Sequence, residues 1–425
     1  EKQRNQLLEE MTDSVAELVL SNNYGQVQAI SLVELQSEER FGEYRRFIET
    51  MEEQGRIDRA LEFLPSDEEL LERKSRGQPL TRPELSILIS YSKAVLKERL
   101  IESDLGKDPY LANAVTTAFP QQLVEKFGDE IKSHRLHREI MATQVANDIV
   151  NRMGLNFIMR QSKATGASVA DVARAYTTVM EVFQLRELWQ WIELLDHRVS
   201  ASVQMDMMLK LVRLVKRATR WLLRNRRHEL MPTPLVSEFS VGLEQLRVSF
   251  PSMLRGSSAD QYESLYERYV EEGVGEELAA RVAGTQLAYT AMGIIQAAAE
   301  TEASLENVAN LYFFMGERLE LDWFSSQIMA AKVDNEWQAL ARDTYMEDLE
   351  WQQRTLAVGA LKHLDEDGNL LACMHQWEKE QEILLGRWQS MLAELHATES
   401  PDFSMFAVAN RELLDLAQSS KRSAD

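Results

Sequence analysis

Apolar residues recur at three- and four-residue spacing through nearly the whole of this 425-residue chain, and almost nowhere at period two. That spacing gathers side chains on one face of a helix, whereas strands need strict alternation, so the pattern predicts an all-α, multi-helical protein with no sheet of note. The punctuation agrees. Only nine prolines and eighteen glycines occur, and they sit where helices should start or stop. Thr81 and Glu84 form a capping box with Pro83 inside the first turn. Asp108 and Pro109 open another helix, and Ser168 with Asp171 forms a further box. Gly154, Gly166 and Gly275 end or begin periodic runs. No Asn-Gly or Asp-Gly pair lies between two β-branched runs, so hairpins are not signalled.

A single core rarely grows much beyond about 250–300 residues, so this length predicts more than one helical body. The best boundary is the string HELMPTP at 228–234, where two prolines bracket one residue after a strongly helical run. A softer break lies at 34–40, polar residues between an initial helical pair and the next periodic run. The resulting division is 1–34, then a helical subdomain over 35–230 and a second over 231–425. No repeat period of 20–50 residues is visible, which argues against a solenoid.

Charge narrows the partners. Against 47 Lys and Arg stand 68 Asp and Glu, a net −21, which on average repels nucleic acid and anionic membranes. The most apolar stretch, 288–299, is broken by Thr290, Gly293 and Gln296, well short of the roughly 18–20 residues a span requires. Neither nucleic acid nor membrane is expected as a partner. Cys373 is the only cysteine, so neither an internal disulfide nor a cysteine-based zinc site can form, which fits a reducing cytoplasm. No signal peptide is read at the start, and an opening Glu inside a helical pattern reads as a piece of something longer.

Strings that could carry chemistry are weak. Gly273, Val274 and Gly275 begin a dinucleotide-like string that lacks its third glycine, follows a helical run and is surrounded by acids that would repel a pyrophosphate. It reads as a helix break restarting at Gly275. His134 and His137 have chelating spacing with Glu139 nearby, but Arg135 and Arg138 flank them, so a solvated or ion-paired face is favoured. The string DEDGN at 365–369 hints at a calcium loop without the required order or closing Glu, and reads as a helix-ending turn. Cys373 and His375, two apart on a helix, face away from each other, which makes a buried structural cysteine the default. No catalytic, cofactor-binding or metal-ligating residue is assigned.

One feature rises above this background. From Met207 to His228 no acid occurs, and Lys210, Arg213, Arg217, Arg220, Arg224 and Arg227 recur at spacings of three and four. On a helix they form one basic stripe, opposite Met208, Leu211, Val212, Val215 and Leu222. The ridge is a candidate contact surface for an anion: an acidic face of another subunit, a nucleotide effector or, less favoured by the charge of the chain, nucleic acid. The competing reading is internal neutralisation, and the acidic balance of the chain favours it. A run of small residues, Ala279, Ala283, Gly284, Ala288, Ala291, Gly293 and Ala297 among them, predicts close helix packing within one subunit. The tryptophans are spread over many helices, as in several small core clusters.

Six stretches, read in order, carry a resemblance: ALEFLPSDEEL at 60–70, LTRPELSILISYSK at 80–93, DPYLANAVTTAFPQQL at 108–123, HRLHREIMATQVANDIVNRMG at 134–154, TGASVADVARAYTTVMEVF at 165–183 and RATRWLLR at 217–224. Together they resemble the region C-terminal to the catalytic core of the large bacterial NAD-specific glutamate dehydrogenases, strongly over 3–226 and more thinly from Pro232 onward. The resemblance implies a parent enzyme that converts L-glutamate, NAD and water to 2-oxoglutarate, ammonia and NADH. It implies that residues 1–34 are tail helices closing the upstream catalytic core. The rest is then a structural or regulatory region that contacts that core and neighbouring subunits of a homo-oligomer. The family's glycine-rich segment with the catalytic lysine is absent, so NAD is expected in the parent and no cofactor in this fragment. Composition alone leaves a second reading open, a free-standing acidic all-α scaffold without enzymatic activity.

Overall fold

A computed structural model describes residues 2–422 apart from 79, 334 and 365–367. Among the described residues every regular element is helical and no strand occurs. The chain divides into two compact units, each built from two stretches: Glu1–Arg186 with Val215–Val236, and Glu187–Leu214 with Ser237–Asp425. The acidic string at 365–369 falls largely outside the described residues.

The first unit contains α1 (Lys2–Leu35), α2 (Phe41–Glu53), α3 (Asp67–Ser75), α4 (Arg82–Glu102), α5 (Pro109–Ala112), α6 (Gln121–Lys132), α7 (His137–Met153), α8 (Phe157–Thr165) and α9 (Val169–Val182). Three helices follow that have residues in both units: α10 (Leu185–Glu193), α11 (Ala201–Asn225) and α12 (Pro232–Met253). Where the sequence reading placed an initial pair, α1 is one continuous helix, because no proline or glycine-rich break interrupts it. The starts are fixed locally as the sequence demands. The Thr81 N–H donates to Glu84 Oε2 at 2.7 Å, and Asp108 accepts from the N–H groups of Tyr110 and Leu111. Ser168 accepts from the Asp171 N–H at 3.1 Å. Gly154 and Gly166 close α7 and α8 at φ of 80° and 73°, values that favour glycine.

Packing in this unit centres on α4, α7 and α9. Helix α4 lies against α1 and α7, and the Ser92 hydroxyl donates to Leu155 O at 2.6 Å. Helix α9 lies against α4, α7 and α8, and residues 172–180 are all buried. Its one arginine, Arg174, is enclosed by three carboxylates: Asp104 at 3.0 Å, Asp108 at 3.3 Å and Asp171 at 3.2 Å.

The second unit continues with α13 (Gly256–Glu271), α14 (Glu276–Ala283), α15 (Thr285–Ala288), α16 (Thr290–Thr301), α17 (Leu305–Arg318), α18 (Leu321–Ala330), α19 (Glu336–Leu361), α20 (Leu370–Glu380), α21 (Glu382–Ala397) and α22 (Phe403–Arg422). Helix α19 packs on α16, α17 and α22. Glycines permit the approach: a Cβ at Gly359 would overlap Ser420, one at Gly316 would meet Gln353, and one at Gly293 would meet Glu350 and Arg354. Ala279, Ala283, Ala291 and Ala297 are buried as well, so the small-residue run serves packing inside this unit. Trp189, Trp377 and Trp388 are core residues, but Trp337 and Trp351 lie exposed on α19 and belong to no core cluster.

Candidate contact surface

Helix α11 carries the basic ridge, and the structure treats its six residues unequally. Lys210 and Arg213 belong to the second unit; Arg217, Arg220, Arg224 and Arg227 belong to the first. Lys210 is half-buried. Burial pulls its ammonium below the ordinary value, the Asp206 carboxylate opposes this, and Arg213 and Arg268 add to it. Asp206 is already engaged, accepting from the Tyr269 hydroxyl at 2.8 Å and pairing with Arg268. Arg213 is exposed and has no carboxylate partner among the described residues.

In the first unit Arg220 is only 5% exposed. Its Nε donates to Gln161 Oε1 at 3.1 Å, and Gln161 in turn donates to Lys216 O at 3.0 Å. Arg217 is half-buried, while Arg224 and Arg227 face solvent. Arg227 lies beyond the last residue of α11. The stripe of uniform spacing therefore resolves into one inward residue, two intermediate ones and three outward ones. The 100° helical step places side chains on a face but says nothing of how deep that face is covered.

The other strings of the sequence take ordinary places. Gly273, at φ 90°, and Gly275 lie in the break between α13 and α14, with Gly275 as the N-cap. Exposed Glu271, Glu272, Glu276 and Glu277 surround that break. His134 Nδ1 accepts from the Leu136 N–H at 3.0 Å, and His137 Nε2 lies 3.2 Å from Ala112 O. Cys373 is buried and its thiol donates to Ala360 O at 3.2 Å.

Two apolar surfaces escaped the sequence reading. Along α1 one face packs inward through Ala29, Leu32 and Val33, while Leu8, Val19, Leu20 and Val27 remain exposed, Leu20 at 67%. At 100° per residue Leu8 and Val19 fall on the same side of the helix as Val33, so the pattern does not mark where the covering of that side stops. The second surface is the loop between α2 and α3, where Leu61 and Phe63 stand out of the surface. No periodicity exists in a loop to mark such residues.

The family model described as "Glutamate dehydrogenase, C-terminal" matches residues 77–415 of this chain. A protein of Pseudomonas aeruginosa named NAD-specific glutamate dehydrogenase is 48% identical over 421 residues, covering 99% of this chain and 26% of the relative. Proteins of the same name from Halomonas elongata and Mycobacterium tuberculosis are 46% and 28% identical, again over 99% of this chain and 26% of their own length. The chain thus spans about a quarter of the length of the curated relatives it matches. A chain whose described elements are all helices, which matches the C-terminal model over residues 77–415 and these relatives over 99% of its own length, belongs to the glutamate dehydrogenase C-terminal family.

Proposed function

We propose that this chain is the C-terminal helical part of a large NAD-dependent glutamate dehydrogenase, and that it organises the enzyme rather than carrying out its chemistry. The observation that carries this is the 48% identity over 99% of the chain to a quarter of an NAD-specific glutamate dehydrogenase. The parent reaction takes L-glutamate, NAD⁺ and water to 2-oxoglutarate, ammonium, NADH and a proton. Glutamate and NAD are held by polypeptide outside this chain. The dinucleotide-like string at 273–275 does not fit a dinucleotide: it links two helices, and acids on both sides would repel a pyrophosphate. No step of hydride transfer is therefore routed through these residues.

Within the parent, a cytoplasmic homo-oligomer, residues 1–34 close the upstream catalytic core, and the helical bodies over 35–230 and 231–425 bear on that core and on neighbouring subunits. The uncovered apolar face of α1 supports the first assignment. The outward part of the basic ridge supports the second, since exposed guanidinium groups on a chain of net −21 suit an acidic neighbour. The test is a side-by-side assay of this chain and the full-length polypeptide, with glutamate-dependent NADH formation and calorimetric titration of NAD. Turnover and binding are expected only in the longer protein. Micromolar NAD affinity in the 425-residue chain overturns the reading.

A further inference from the structure

Phe63 breaks two local rules at once. It is 88% exposed, the most exposed large apolar side chain among the described residues, and Leu61 in the same loop is 75% exposed. Its backbone also lies at φ 54°, in the left-handed region that suits glycine, asparagine or aspartate and strains an aromatic residue. Asparagine there would relieve both penalties, so nothing inside the chain accounts for phenylalanine. Local rules broken without internal compensation mark sites that act elsewhere.

The loop that presents this pair is rigidly held. Asp58 Oδ1 accepts from the N–H groups of Ala60 at 2.9 Å and Leu61 at 3.2 Å. Arg59 is spread over three acceptors, Glu52 at 2.8 Å, Asp67 at 3.1 Å and Pro65 O at 3.1 Å. Tyr91 donates its hydroxyl to Glu62, and Leu64 and Pro65 are buried beneath. Such a projection loses little freedom on binding. Its surroundings are acidic: residues 52–69 hold seven acids against Arg56 and Arg59, and with Glu52 and Asp67 paired to Arg59 the carboxylates of Glu53, Asp58, Glu68 and Glu69 remain exposed.

We propose that Leu61 and Phe63 are the anchor by which this chain docks onto the remainder of its own longer polypeptide, in an apolar pocket rimmed by basic side chains. This rests on the reading above that a longer parent exists. The pocket's character follows from charge complementarity with the acidic rim. The occupant follows from length: about three quarters of each relative lies outside the matched region. A tethered partner is present at high effective concentration, so a two-residue anchor suffices, whereas a separate subunit needs a far larger face around it.

The experiment places the photo-crosslinker p-benzoylphenylalanine at position 63 of the full-length polypeptide. The expected product runs at the mass of one chain on a denaturing gel, and mass spectrometry maps the crosslink to peptides outside these 425 residues. A product of twice that mass overturns the proposal in favour of a second copy, and absence of any crosslink overturns docking altogether. Endogenous protein no larger than this chain overturns the parent reading instead, which separates the two failures. In a second arm, Phe63→Cys is labelled with maleimide and the label is read at the peptide containing position 63 by mass spectrometry; within these 425 residues Cys373 is the only other cysteine and is buried. Labelling in the full-length protein is expected to be at least about tenfold slower than in the 425-residue chain; equal rates overturn the proposal. Phe63→Asn in the 425-residue chain should raise the melting midpoint, and a lowered one would show that Phe63 serves this fold instead.

Discussion

Arg174 illustrates how one residue can hold together segments far apart in sequence. It joins the N-terminal turn of α9 to Asp104 and Asp108, and Asp108 at the same time caps α5. Asp108 is fully enclosed, so Arg174→Met would leave a buried carboxylate without its cation. Breaking a buried pair from one side costs about 3–5 kcal/mol, and a fall of that size in unfolding free energy is expected by denaturant titration. The double variant with Asp108→Asn should lose less than the sum of the two single changes. Asp322, in the second unit, behaves oppositely. Burial raises its carboxyl pKa above the ordinary value; the Ser258 hydroxyl opposes this and Glu317 adds to it. The folded state therefore holds the proton more tightly than the unfolded one, and stability falls as pH rises from the ordinary carboxylate value through the raised one. Asp322→Asn should raise the melting temperature at pH 7, and the gain should shrink toward pH 4. An equal shift at both values would refute this account.

At the scale of elements, the helices were legible where the sequence states their ends. Thr81 and Glu84, Asp108, Ser168, Gly154 and Gly166 act in the structure as their sequence positions imply. What was not legible depends on neighbours distant in sequence. The depth of Arg220 is set by Gln161, 59 residues away, and no local pattern carries that information. The exposure of Trp337 and Trp351 and of the uncovered apolar residues of α1 is of the same kind. Glycines make the point testable. Gly359 in α19 faces the Ser420 backbone of α22, with its O atom 2.9 Å from where a Cβ would stand, whereas Gly386 in α21 faces nothing within 4 Å. Gly359→Ala is expected to destabilise by about 1–3 kcal/mol through overpacking. Gly386→Ala should stabilise by about 0.5–1 kcal/mol, since alanine loses less freedom in a helix. Thermal melts of the two variants should move in opposite directions.

At the scale of the whole molecule, the excess of acid is the field in which the ridge must act. Arg213 and Arg227 are exposed, one in each unit, and reversal of either to Glu should change the stability of this chain by no more than about 0.5 kcal/mol. Arg220→Glu places a buried negative charge where a guanidinium now meets Gln161, and should cost several kcal/mol. In the full-length protein the two surface reversals should weaken assembly, read by light scattering, because like charges then face an acidic neighbour. Unchanged assembly with both reversals in place would reject the outward ridge as a subunit contact.

The enclosure of α9 sets a clock for the unit around it. With residues 172–180 covered on every side, that stretch has no solvent-facing turn from which its hydrogen bonds can open singly. Its amide hydrogens should exchange with deuterated water only when the whole first unit comes apart, while those of the exposed half of α1 exchange through local fraying. Exchange measured peptide by peptide would then read the global opening of this unit from α9 alone, and any ligand or partner that steadies the unit would register there as slower exchange, however far from α9 it binds.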